Sequence, residues 1–305
     1  MFTIPFNVQR TIAVSKPVED IFQIIADFNS WRSWSPWLCQ EPECPVSIQG
    51  QPGKQGHSQR WDGERIGTGE MMLMAVDSHN GLRYQITFLK PWKSQAKVNF
   101  EFTQAGECTK ITWSMQGTLP IFMIFMRNAM SALVASDYER GLVMLKELAE
   151  TGEVLSHTKV LGELACDGFY YLGRRKTCEL NEVALSMEND FVELNALLEK
   201  QKIPSPDFSV SLYHQYDLAK QQCVYTSGFG YVSKPLEMIN DDFESGCIEH
   251  HKALCVDHVG AYRHLGNGWS TAHGLLRVSK QKASKKIPMY EIYANSPGDV
   301  DEGEC

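Results

Sequence analysis

Among the nine cysteines of this 305-residue chain there is no CxxC pair, and their number is odd. That argues against a disulfide framework and for reduced thiols in a reducing compartment. No apolar run reaches the roughly 18 to 20 residues that a membrane span needs. The longest, LPIFMIFMRNAMSALVA, is interrupted by Arg127 and Asn128 and reads as a helix with a strongly apolar start. A basic excess is missing too, because 29 Lys and Arg face 37 Asp and Glu for a formal net charge of -8. Nucleic acid is therefore not an expected partner, nor is a broad electrostatic footprint for anionic membrane, which leaves room only for a local basic patch. The opening MFTIPFNVQR lacks the basic, apolar and cleavage regions of a secretory signal, so a cytoplasmic location is expected. No nucleophile elbow, phosphate-cradling glycine loop or kinase signature occurs, and GTGE (Gly67 to Glu70) lacks the length and the lysine of a P-loop.

The length points to two domains of about 150 residues each. Residues 6 to 14 read as a strand, after which Pro17 suits the first turn of a helix with Glu19 and Asp20 near its positive end. Val18, Ile21, Phe22 and Ile25 then give that helix one apolar face. In WRSWSPWL, Trp31, Trp34 and Trp37 recur every three residues. They either line the mouth of a hydrophobic cavity or staple the first helix to a sheet. From about 56 to 117 the pattern is an antiparallel meander with turns at Gly67, Gly69, Asn80-Gly81 and Gly106. Residues 121 to 150 return to helical period through Val134, Tyr138, Leu142, Leu145 and Leu148. The polar ETGEVLSH then marks a boundary at about 151 to 157.

The second half carries a faint internal repeat. KIPSPDFSVSLYHQY (Lys202 to Tyr216) and KIPMYEIY (Lys286 to Tyr293) both run from Lys-Ile-Pro into a strand ending Tyr-x-x-Tyr, which aligns His214 with Glu291. Each follows a predicted helix, about 179 to 200 and about 261 to 281, and each helix follows a strand, LGELACDGFYYLG or HKALCVDHVG. Two such units predict a pseudo-twofold pair, since neither buries its apolar face alone.

RTIAVSKPVEDIFQIIADFNSWRSWSPW, the sheet-rich middle and DYERGLVMLKELAE resemble the SRPBCC superfamily, the START and polyketide-cyclase-like helix-grip fold, over residues 1–152. The resemblance implies a curved antiparallel sheet gripping a long C-terminal helix, with an apolar cavity between them. Residues 157–305 are similar to the GyrI-like small-molecule-binding domain, also called the AraC-type effector-binding domain, through DHVGAYRHLGNGW and PMYEIYANSP. That likeness implies a pocket in which the strand glutamate, Glu291, meets lipophilic cations; some relatives use it in hydrolysis. Members usually continue into a final strand where this chain reads GDVDEGEC, and no helix-turn-helix pattern precedes the domain. The expected fold class is α+β, a helix-grip fold followed by a pseudo-twofold α+β effector-binding domain.

Glu291 raises the central question, because an ionised carboxylate in a strand suited to a core faces water, has a protein partner, or awaits a ligand. Met289 and Tyr293 share its strand face. A carboxylate beside aromatic rings suits a delocalised cation, while the plainer reading is an edge residue or a salt bridge to lysine. Tyr171, Tyr216, His258, Tyr262 and Trp269 are candidate pocket walls, and each equally suits ordinary packing. Cys247, His250, His251, Cys255 and His258 alternate between strand faces without metal-site spacing, so neither metal nor cofactor is expected. Lys280, Lys282, Lys285 and Lys286 read as a solvated helix end.

These readings favour a cytoplasmic binding protein for small hydrophobic or amphipathic ligands, cations among them, with its oligomeric state open. The alternative is a hydrolase in which Glu291 is the catalytic base or nucleophile, assisted by Tyr293 or His258. An adaptor with vestigial pockets is the third.

Overall fold

Alternating apolar residues in TIPFNVQRTIAV build strand β1 (Thr3–Val14), and Pro17 caps helix α1 (Val18–Ala26), whose buried face is the predicted Val18, Ile21, Phe22 and Ile25. The computed structural model describes residues 3–201, 203–217, 220–234 and 243–295. The meander follows as β2 (Val46–Gln49), β3 (Ser58–Asp62), β4 (Thr68–Asp77), β5 (Gly81–Lys90), β6 (Ser94–Ala105) and β7 (Cys108–Pro120). These strands form one antiparallel sheet in the order β1-β7-β6-β5-β4-β3-β2, with β1 running beside β7 from Thr3↔Pro120 to Val14↔Thr109. Gly69 lies inside β4 rather than in a turn. A Cβ there would stand 2.4 Å from the Trp61 indole, so the absent side chain makes room for a ring. The four-residue β2 is too short for its alternation to be read in advance.

Residues Ile121–Met126 form a 3₁₀ turn where the sequence predicts the long helix to have begun; helix α2 spans Arg127–Thr151. Short 3₁₀ entries to helices are common. Gly152, with φ 92°, supplies the left-handed cap that ends α2.

Trp31 and Trp34 are fully buried, which decides between their two readings in favour of the staple. The Trp31 indole N–H donates to Ile25 O at 3.0 Å and the Tyr84 hydroxyl to the same carbonyl at 2.8 Å, tying the end of α1 to the sheet. Trp113 stacks on Tyr138 of α2 at 3.9 Å and on Phe100 at 4.9 Å. This aromatic stack fills the space beneath that part of α2. Trp37 is partly buried and donates from its indole to Asp137 Oδ2 at 3.0 Å.

The remaining strands are β8 (Ser156–Cys166), β9 (Phe169–Glu179), β10 (Phe208–Asp217), β11 (Gln222–Tyr231), β12 (Glu244–Ile248), β13 (His251–Gly260) and β14 (Met289–Tyr293). Helix α3 is Val183–Gln201 and α4 is Leu265–Ser279. LGELACDGFYYLG is two strands rather than one, because Asp167 and Gly168, the latter with φ 84°, turn the chain between β8 and β9. A five-stranded sheet has the order β12-β9-β11-β10-β14, and β13 pairs with β8. The two strands related by the internal repeat, β10 and β14, lie side by side and antiparallel. With mostly antiparallel sheets and four α-helices among the described residues, the protein is of the α+β class.

Two units are distinguished: Met1–Val160 with Val256–Lys280, and Leu161–Cys255 with Gln281–Cys305. This grouping differs from a single division at 151 to 157: its first boundary falls at 160, and Val256–Lys280, the end of β13 with α4, groups with the first unit. The reason is a polar face. Asn267 of α4 accepts from Arg140 Nη1 at 2.7 Å and donates to Ser156 Oγ at 2.9 Å, and the buried positions of the helix are Asn267, Thr271 and Gly274. His264, just before α4, bonds the buried Glu147 carboxylate of α2, which also accepts from Arg263 Nε at 3.0 Å and the Leu155 amide at 2.9 Å. Among the described residues no helix is long and apolar enough to cross a membrane.

Candidate ligand-binding site

Side chains directly opposite one another in a sheet share a face. In the second unit this places Glu291 opposite Ser211, Ser211 opposite Ser227, and Ser227 opposite Arg174, a polar row across β14, β10, β11 and β9. Helix α3 packs over this row. Met187 Sδ lies 3.9 Å from Ser211 Oγ and 3.8 Å from the Tyr213 hydroxyl, Phe191 meets the Tyr293 ring edge-on at 5.8 Å, and Glu193 pairs with Arg174.

Glu291 has protein partners. The Tyr213 hydroxyl donates to its Oε2 at 3.0 Å and the Tyr293 hydroxyl to the same oxygen at 2.5 Å, with Ser211 Oγ 3.0 Å from the Tyr293 oxygen. Two phenols and a serine therefore organise one carboxylate. Burial, and then the nearby Glu291 charge, raise the Tyr213 phenol well above its ordinary range, so it remains a donor at neutral pH.

A second carboxylate lies under the same helix. Asp190 is completely buried, accepts from the Tyr225 hydroxyl at 2.8 Å, has Ser227 Oγ at 3.5 Å, and pairs with Lys176. Ser186 Oγ lies 2.6 Å from the Tyr225 oxygen. Burial raises the Tyr225 phenol, with the Asp190 charge adding to the shift.

Of the residues singled out from sequence, the structure brings Glu291 and Tyr293 together. Tyr216 lies near the end of β10 and is 54% exposed, which leaves it a poor pocket wall. Tyr171 projects from the opposite face of the sheet, across Gly246 of β12. His258, Tyr262 and Trp269 belong to the first unit, where Trp269 lies 6.0 Å from the His273 ring. His214 has its Nε2 2.7 Å from Thr226 Oγ1. Tyr213, Ser211 and Asp190 join the site from the neighbouring strand and from α3, and the alternation of Ser209, Ser211 and Tyr213 is the sequence signal that marks this polar strand face. Of the residues weighed for metal, His251 has one ring nitrogen 2.8 Å from Glu249 O and the other 3.1 Å from the Tyr290 hydroxyl. Among the described residues no three His, Cys, Asp or Glu side chains gather as a metal site.

His258 has its Nε2 3.3 Å from Ser156 Oγ, and burial followed by the His264 charge holds its imidazole down to about 4 from an ordinary 6.5. A histidine depressed in this way stabilises the fold fully above 6.5 and loses that contribution as pH falls towards about 4. His258→Gln is expected to flatten the fall in melting temperature across that window, as measured by thermal melts at stepped pH.

The first unit has a recess of about 380 Å³ where the segment carrying Arg32, Leu38 and Cys39 meets Met144 and Leu148 of α2, and His157. Burial pushes the Cys39 thiol up to about 11, which makes it an inert wall rather than a nucleophile.

Residues 5–150 match the family described as polyketide cyclase / dehydrase and lipid transport. No curated protein matches the chain. Among solved structures, DynU16, a protein of the dynemicin biosynthetic locus, is similar at 18% identity over 51% of this chain and 54% of its own, with a TM-score of 0.36. The Aha1 dimer from Colwellia psychrerythraea matches at 16% identity over 48% of this chain and 97% of its own, TM-score 0.37. CalU16 from Micromonospora echinospora matches at 13% identity over 48% and 84%, TM-score 0.34.

Proposed function

We propose that this protein binds small hydrophobic or amphipathic molecules in the cytosol, and that its second unit, read as an effector-binding module without a DNA-binding part, takes lipophilic cations at Glu291. The match of residues 5–150 to the polyketide cyclase / dehydrase and lipid transport family supports the hydrophobic class of ligand. The observation that carries the cationic part is the pair of phenols converging on Glu291 Oε2 beside the Phe191 ring. A fixed carboxylate supplies charge, and ring faces add attraction for a delocalised cation. The recess beside Cys39, lined by Leu38, Met144 and Leu148 together with Arg32 and His157, is a second place for a ligand.

The test is thermal stabilisation of wild type and Glu291→Gln by tetraphenylphosphonium, with a neutral hydrophobe of similar size as control. A ligand that binds only the native state at a hundredfold excess over Kd stabilises it by about 2.7 kcal/mol. Stabilisation by the cation in wild type and its loss in Glu291→Gln is the expected result; equal shifts in both proteins would remove Glu291 from the site. Mass analysis of electrophilic esters incubated with the protein addresses hydrolysis: product formed by wild type and abolished in Glu291→Gln would replace binding with catalysis.

A further inference from the structure

We infer that one end of the first sheet is a docking surface for an anionic phospholipid bilayer. The 3₁₀ turn before α2 exposes Ile121, Ile124, Phe125 and Met126, and Phe125 is 94% exposed. Leu133, two turns into α2, is exposed as well. Strand β6 begins at Ser94 beside the end of β7, so the β5–β6 turn with its exposed Trp92 lies at the same sheet end as Pro120 and the apolar turn. An apolar group of this kind, rather than scattered single residues, marks an interaction surface.

Charge selects the occupant. The chain as a whole carries -8, yet residues 1–18, 78–100 and 108–136 contain no Asp or Glu and eight Lys and Arg. These segments hold β1, β5, the first seven residues of β6, β7 and the start of α2, while β6 continues through Glu101; they are neighbours in the sheet or follow directly from it. At the apolar end, Lys93 and Arg127 flank Trp92 and Phe125, and Lys90 stands beside them with its ammonium 3.7 Å from Asp62. Aliphatic and aromatic side chains flanked by cations match the boundary between acyl chains and anionic headgroups.

The test is co-sedimentation of the full chain with phosphatidylcholine vesicles, with and without phosphatidylserine. Ile124→Ser with Phe125→Ser, and separately Lys93→Glu with Arg127→Glu, change exposed side chains, and thermal melts verify that each variant folds. Wild type is expected to partition onto the phosphatidylserine vesicles, more weakly at raised salt, and each double variant to lose about tenfold or more in partitioning. Absence of partitioning by wild type, or partitioning that neither variant weakens, overturns the inference. Concentration-dependent self-association without vesicle binding, lost in the serine variant, overturns it in favour of a second copy of the chain.

Discussion

Trp113→Ala is expected to lower the unfolding free energy of the first unit by about 3–5 kcal/mol, measured by denaturant titration. The indole is completely buried and central to the aromatic core: it stacks on Phe100 and Tyr138, and meets Trp31, Trp34 and Trp37 edge-on. Truncation would remove contacts to β6, α2 and the tryptophan segment at once, and rigid rings on every side limit collapse of the cavity. Trp92→Ala, at an exposed turn, is expected to stay within about 0.5 kcal/mol of wild type. The same stack gives an opposite expectation for its polar member. The Tyr138 hydroxyl is buried without a hydrogen-bond partner among the described residues, so Tyr138→Phe is expected to preserve or raise stability.

Glu147→Ala is the second large effect, a loss of about 3 kcal/mol, because it leaves the buried His264 and the Leu155 amide without their acceptor, while the half-exposed Arg263 turns to water. The carboxylate accepts from Arg263, His264 and the Leu155 amide, and His264 is itself buried. Glu147→Gln, which keeps an acceptor oxygen, is expected to lose less. Burial raises the Glu147 carboxyl, but Arg263, the Leu155 amide and His264 together outweigh burial and hold it below its ordinary 4.5. The sign follows from the lowered value. The contribution is fully present above 4.5 and fades as pH falls through the lower folded value, so the gap between wild type and Glu147→Ala should narrow in acid. An unchanged gap across that range would mean that the charge contributes nothing and that Glu147 acts through packing alone.

What could be read in advance follows from where the relevant contacts lie along the chain. The apolar stripe of α1 and the long period of α2 are local patterns, and the structure buries Val18, Ile21, Ile25, Tyr138, Leu142 and Leu145 as those patterns predict. The partnership of α4 with α2 was hidden because α4 buries Asn267 and Thr271 rather than aliphatic residues, so hydrophobic period gave no sign of a packed face. At the site, Glu291 and Tyr293 were legible because they alternate on one strand. Tyr213 was not, because it comes from the neighbouring strand, and an irregularity between Tyr213 and Gln215 breaks the simple alternation. The internal repeat drew attention to Tyr216, the other tyrosine of its Tyr-x-x-Tyr. Asp190 offered a clearer signal. It falls three residues after Met187 and four before Leu194, inside the apolar stripe of α3, where a carboxylate calls for a partner across the sheet.

The division of the chain into two units has an optical consequence. All seven tryptophans, at positions 31, 34, 37, 61, 92, 113 and 269, fall in the first unit. Indole emission therefore reports the aromatic core and α4, while the unit that holds Glu291 is dark at excitation wavelengths selective for tryptophan. Melting followed by indole emission and melting followed by far-ultraviolet dichroism would coincide if the two units unfold together and separate if they do not. The same contrast assigns any ligand-induced stabilisation to one unit or the other in the intact protein.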